Sequence, residues 1–101
     1  MKSKRARSCA ISKKVKLEVW ERDNHRCIIC GSPYGQPNAH VIPRSKGGLG
    51  VEKNIVTLCF NCHRKFDQGK KEERESIREY INYYLSHFYG EIDKDEVIYK
   101  K

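Results

Sequence analysis

Residues 27–63 read CIICGSPYGQPNAHVIPRSKGGLGVEKNIVTLCFNCH, opening on Cys27-Ile28-Ile29-Cys30 and closing on Cys59-Phe60-Asn61-Cys62-His63. The two C-x-x-C pairs are separated by 28 residues. A two-residue gap lets both sulfurs of one chain turn face a single ion, and two such turns complete a tetrahedral site. Thiolate-only ligation suits Zn2+ best, with iron as the second choice. Four thiolates leave no open coordination position, which assigns this zinc to structure. It fastens residues 27–30 to residues 59–62 and closes everything between them as a loop. Cys9 is left over and reads as a bystander.

Working outward from the clamp, Gly31, Pro33, Gly35, Pro37 and Asn38 mark a turn-rich stretch after the first cysteine pair. Residues 39–42 form a short apolar strand stopped by Pro43, and residues 54–58, with β-branched Ile55, Val56 and Thr57, form a second. The glycines of SKGGLG (residues 45–50) demand a loop between them. A short helix starts near residue 60 and ends at Gly69. Upstream, Ser12 caps a helix running to about Arg22, with Val15, Val19 and Trp20 on one face. Downstream, Ile77, Tyr80, Ile81, Tyr84, Leu85 and Phe88 draw an apolar stripe at helical spacing within residues 72–89, closed by Gly90. The tail holds Ile92, Val97, Ile98 and Tyr99, enough to dock as a strap. The expectation is a single α+β domain: a basic disordered head at 1–11, a zinc-clamped unit at 12–70, and a long helix with a docking tail at 71–101.

The chain has 101 residues, with 21 Lys plus Arg against 13 Asp plus Glu and a net charge of +8. A core of this size is modest, so an ion that pins the chain has a clear structural use. The first sixteen residues carry Lys2, Lys4, Arg5, Arg7, Lys13, Lys14 and Lys16 and no acid. Such clusters favour polyanionic partners, with nucleic acid ahead of a membrane surface because the cations do not line an amphipathic helix. No stretch approaches the roughly 20 apolar residues that span a bilayer. The basic N-terminus has no apolar run behind it, which argues against a secretory signal. Five cysteines are then expected to stay reduced in the cytoplasm.

Inside the clamp, three strings carry chemistry: Ala39-His40-Val41-Ile42-Pro43-Arg44-Ser45-x-Gly-Gly, Asn54-Ile55-Val56-x-Leu58-Cys59, and Cys62-His63-Arg64-Lys65. They resemble the HNH endonuclease family over about residues 20–68, roughly half the chain. Phage-encoded members are especially similar, including the Arg22-Asp23-x-x-x-Cys27 lead-in and a tyrosine-rich helix behind the motif. The resemblance implies a ββα-metal fold, a hairpin with a helix packed over it, in accord with the strands and helix read above. It implies phosphodiester hydrolysis leaving 5′-phosphate and 3′-hydroxyl ends. His40 matches the general base, His63 a metal ligand on the helix, and Asn54 the residue whose amide bonds backbone across the hairpin. His63 also stands beside Cys62, so a spare ligand role in the zinc site is open.

The pattern departs at Ala39. Many members carry a metal-ligating His, Asp or Glu there, and alanine coordinates nothing. Some members take a second ligand from the helix four residues after the first, which here is Asp67, on the same helix face as His63. Imidazole, carboxylate and water would suit Mg2+ or Mn2+. Arg44, Lys46, Arg64 and Lys65 flank the motif as candidate contacts to DNA phosphates. The leading reading is a metal-dependent DNA endonuclease or nickase of low sequence specificity. The alternatives are a zinc-stabilised nucleic-acid-binding module that does not cut, and an adaptor whose partner packs on the aromatic helix. A phage packaging or recombination partner is suggested by resemblance only, and the sequence does not specify an oligomeric state.

Overall fold

The computed structural model describes residues 3–100; Lys2 of the basic head lies outside them. Helix α1 (Lys4–Cys9) starts at Ser3, whose Oγ accepts from the Ala6 amide at 3.1 Å. The head expected to be disordered is therefore helical over these six residues. Its docking explains the difference: Cys9 is 2% exposed, and the Ser8 carbonyl accepts from the Gly50 amide at 3.0 Å. Helix α2 (Lys13–Arg22) is capped by Ser12 Oγ, which accepts from the Val15 amide at 3.1 Å. Val19 is fully buried, Val15 and Trp20 are half-buried, and Leu17 stays exposed.

The sheet has two strands, β1 (Gln36–His40) and β2 (Ile55–Leu58), paired antiparallel with Ala39 opposite Val56 and His40 opposite Ile55. The first strand starts three residues earlier, and ends two earlier, than its apolar residues suggested. Pro37 and Asn38 sit in a register irregularity between Gln36 and Ala39, a bulge on an outer edge where proline costs no ladder bond. Beyond His40 the chain leaves the ladder through the Val41 amide, which donates to the Asn54 carbonyl at 2.8 Å.

All four residues of β2 are buried. Val56 and Leu58 join Phe66, Ile81 and Leu85 in one apolar cluster, and period-two alternation turns Ile55 and Thr57 toward the other face. Helix α2 packs on both strands, while α3 (Phe60–Gln68) packs on β2 and on α4 (Lys71–Tyr89). The hairpin is thus the middle layer between α2 and the α3–α4 pair. Of the α4 stripe, Ile81 and Leu85 are fully buried and Ile77 and Tyr84 half-buried, while Tyr80 and Phe88 at its rims are exposed. Burying each of the two aliphatic side chains contributes about 1.5–3 kcal/mol.

A charged knot ties these layers. Arg22 donates to both oxygens of Asp23 (2.7 and 3.1 Å), to the Glu52 and Ile55 carbonyls (2.7 Å each) and to the Tyr89 hydroxyl (3.2 Å). Asp23 also accepts from the Thr57 amide at 2.9 Å and the Tyr84 hydroxyl at 2.7 Å. Burial and the Asp23 carboxylate push the Tyr84 hydroxyl well above the ordinary tyrosine range.

The loop from Pro43 to Val51 is held from two sides. The tail docks on it: Gly48 bridges to Ile98, Leu49 N–H donates to the Val97 carbonyl and Tyr99 N–H to the Gly47 carbonyl, both at 2.8 Å. The head grips it through Arg5, whose guanidinium donates to the Ser45 carbonyl at 3.0 Å. Gly48 is required here, since a Cβ at that position would stand 1.7 Å from the Ile42 carbonyl oxygen. Among the described residues, no helix is long and apolar enough to cross a membrane.

Candidate active site

The cysteine pairs come together first. The ligating atoms of Cys27, Cys30, Cys59 and Cys62 all lie within 4.8 Å of one another, and Cys30 and Cys59 Sγ are 3.5 Å apart. Tetrahedral zinc–thiolate bonds of about 2.3 Å put sulfurs about 3.8 Å apart, so the quartet fits one metal ion. Cys59 also caps α3, its sulfur accepting from the Cys62 amide at 3.4 Å. The thiols repel shared charge. Burial opposes the Cys27 thiolate, but hydrogen bonds from the Cys30, Cys59 and Ile29 backbone outweigh it and bring its pKa to about 7. Burial and the neighbouring Cys59 and Cys27 sulfurs push Cys62 far up. A quartet that resists full deprotonation by itself is the donor set that a bound cation relieves. His63 is not part of it.

A cleft of roughly 720 Å3 opens between the end of β1, the Arg44–Lys46 turn, α3 and the first half of α4. His40, His63 and Asp67 all line it. His63 Nε2 stands 3.3 Å from Asp67 Oδ2, one helical turn along α3. Two adjacent ligands of an octahedral ion at about 2.1 Å lie about 3 Å apart, so this pair fits part of a divalent-cation shell. Ala39 adds nothing to it: the residue is fully buried in the apolar cluster.

His40 Nε2 lies 2.8 Å from the carbonyl oxygen of Cys9. A carbonyl only accepts, so Nε2 carries the proton and Nδ1 of the neutral ring keeps its lone pair. Burial and the charges of Arg44 and His63 hold the imidazole below its ordinary pKa of 6.5, against the opposite pull of the Cys9 carbonyl. The ring is therefore neutral at pH 7 and able to take a proton. Asn54 is 1% exposed and works across the hairpin connection: Oδ1 accepts from the Ile42 amide at 2.9 Å, and Nδ2 donates to the Ile42 and Leu49 carbonyls at 3.2 and 2.9 Å. It fixes the backbone two residues beyond His40.

Of the flanking cations, Arg44 and Lys46 line the cleft, whereas Arg64 and Lys65 are exposed on α3 outside its lining. Lys71, Arg74 and Arg78 of α4 line it instead. Their 3- and 4-residue spacing was a signal for a shared helix face, overshadowed by the apolar stripe beside it. The Cys9 carbonyl had no such signal, because backbone contacts from a remote segment leave no mark in composition.

A cysteine-clamped hairpin and helix bearing His40, Asn54 and His63 define the class. The chain belongs to the HNH endonuclease family, whose sequence profile matches residues 27–80, just over half of its length. Anaredoxin of Nostoc sp. is 32% identical over 59 residues, 57% of this chain and 78% of that protein. The type IV methyl-directed restriction enzyme EcoKMcrA of Escherichia coli K12 is 40% identical over 52 residues, 52% of this chain and 18% of the enzyme. The CRISPR-associated endonuclease Cas9 of Corynebacterium diphtheriae is 30% identical over 61 residues, 52% of this chain and 6% of Cas9. The match thus spans most of the first relative and a small part of the two nucleases.

Proposed function

We propose that this protein is a metal-dependent DNA endonuclease or nickase that hydrolyses phosphodiester bonds with low sequence specificity. The observation that carries the reading is the convergence of a neutral His40 with His63 and Asp67 on one cation-flanked cleft. Family membership and the nuclease names of two relatives support it. In this reading the four cysteines hold structural Zn2+, and a reducing compartment such as the cytoplasm would keep them as free ligands.

His40 acts as general base: it takes a proton from a water that attacks phosphorus, and the bond from phosphorus to the 3′-oxygen breaks. The leaving oxygen takes up a proton, giving 5′-phosphate and 3′-hydroxyl ends. The Cys9 carbonyl and the Asn54 amide keep the base aimed, the first through the ring and the second through the backbone of Ile42. Arg44 and Lys46 neutralise backbone phosphates at the cleft mouth. His63 and Asp67 would hold Mg2+ or Mn2+, whose charge offsets that developing on the phosphate and the leaving oxygen.

The second reading, a zinc-stabilised nucleic-acid-binding module that does not cut, is favoured by Ala39, which leaves the cation with two protein ligands. Supercoiled plasmid separates the two. Nicking in Mg2+ or Mn2+ that stops with EDTA and with His40→Ala supports the enzyme. Retardation on a gel without cutting under any divalent cation supports the binding module.

A further inference from the structure

We propose that α4 forms a second DNA-backbone wall of the cleft, with Lys71, Arg74 and Arg78 holding the phosphates that flank the one at His40. The inference rests on the nucleic-acid reading above but not on cutting. Residues 71, 74 and 78 fall on one helix face, and all three line the cleft that holds His40 and His63. From Lys71 to Arg78 the helix rises about 10.5 Å. Successive phosphates of one strand lie farther apart than the roughly 3.4 Å axial rise, because the strand winds, so a row of this length can reach more than one of them.

No carboxylate among the described residues neutralises this row. Among the described residues, none of the three forms an ion pair, although α4 carries Glu72, Glu73, Glu75 and Glu79. Glu75 lines the same cleft four residues from Lys71, the spacing at which such pairs form, and it too stands unpaired. Lys71 occupies the first turn of α4, where a cation opposes the helix dipole. Glu72 and Glu73 share that turn and offset Lys71 against the dipole, yet neither pairs with it, so the ammonium stays free for a partner. Arg78 is set in advance. Its Nη1 donates to the Val41 carbonyl at 2.8 Å, and its guanidinium carbon lies 5.0 Å from the centre of the Phe66 ring. The remaining donors of that planar fork stay available for a phosphate oxygen.

The test is binding of a short labelled duplex by the zinc-loaded full chain, in a His40→Ala background so that no strand is cut, across a salt series. Lys71→Gln with Arg74→Gln should flatten the slope of log K against log salt by roughly 1.8, or about 0.9 per lost phosphate contact. Lys94→Gln with Lys100→Gln changes net charge equally at exposed positions outside both the cleft lining and the basic head, and should leave the slope near that of the parent. All four are surface substitutions, so unchanged melting temperature and zinc content confirm the fold. A cleft pair indistinguishable from the surface pair removes the α4 wall and leaves the nucleic-acid reading standing. A parent with no salt-dependent affinity for duplex removes both.

Discussion

The carbonyl oxygen of Cys9 stands 2.8 Å from Nε2 of His40, so a segment outside the family-matched stretch reaches a ring that lines the cleft. The bond fixes one tautomer and one ring orientation. It is supported by Arg5 on the Ser45 carbonyl and by Ser8 on the Gly50 amide.

If the head aims the base, deleting residues 1–9 lowers the nicking rate by roughly 10- to 100-fold, the scale on which small misplacements act. Replacing Lys4 and Arg7 with serine keeps the backbone and removes charge, so it should weaken DNA binding while retaining the maximal rate. Rate constants at saturating protein check this. A head-deleted chain that cuts at the parental maximal rate would show that the contact is incidental.

The pH dependence follows from the depressed pKa of His40. The base works when neutral, so the rate is lost as pH falls and the ring protonates. Its folded value lies below 6.5, so the midpoint of the rise should also lie below 6.5, with a plateau at neutral pH. Arg44→Gln removes one of the charges that depress it and should move the midpoint upward. A pH–rate profile measures both, and a midpoint above 7 contradicts the assignment.

Asp23→Ala leaves Arg22 buried without its carboxylate and Tyr84 and the Thr57 amide without their acceptor. Breaking a buried pair of this kind costs about 3–5 kcal/mol. Chemical denaturation of the metal-loaded protein should show that loss. A change below about 1 kcal/mol, the range of exposed pairs, would mean that water replaces the carboxylate.

Metal removal should unfold more than a surface site would. Cys27→Ser or Cys59→Ser is expected to abolish the bound zinc, about one per chain in the parent, and to broaden or abolish cooperative melting. Elemental analysis with thermal melting reads both. A cysteine variant that keeps parental metal content and melting removes the clamp from the account.

The cysteine spacing, the apolar stripe and the two β-branched or apolar runs were legible because each obeys a periodic or coordination rule. Pro37 and Asn38 concealed the start of β1, since turn formers in a bulge look like turn formers in a loop. Residues 4–9 lack an apolar face, and their helix is held by Ser3 and by docking onto the glycine loop. Arg22 and Asp23 were visible only as the lead-in to Cys27; their partners come from β2 and α4, which meet only in the folded chain. In the cleft, His40 and His63 were named from strings that resemble the family, and Asp67 from the resemblance and its place one helical turn after His63. Lys71, Arg74 and Arg78 were hidden by position, on a helix whose other face dominates its pattern.

The most direct measurement is single-turnover cleavage of a labelled duplex by the parent and by His40→Ala, in Mg2+ or Mn2+, with binding followed in parallel. The account predicts a rate loss of about 10²- to 10⁴-fold at unchanged affinity, the contribution of a positioned general base. A His40→Ala chain that cuts at the parental rate, or a parent that binds the duplex and never cuts it, would contradict the account.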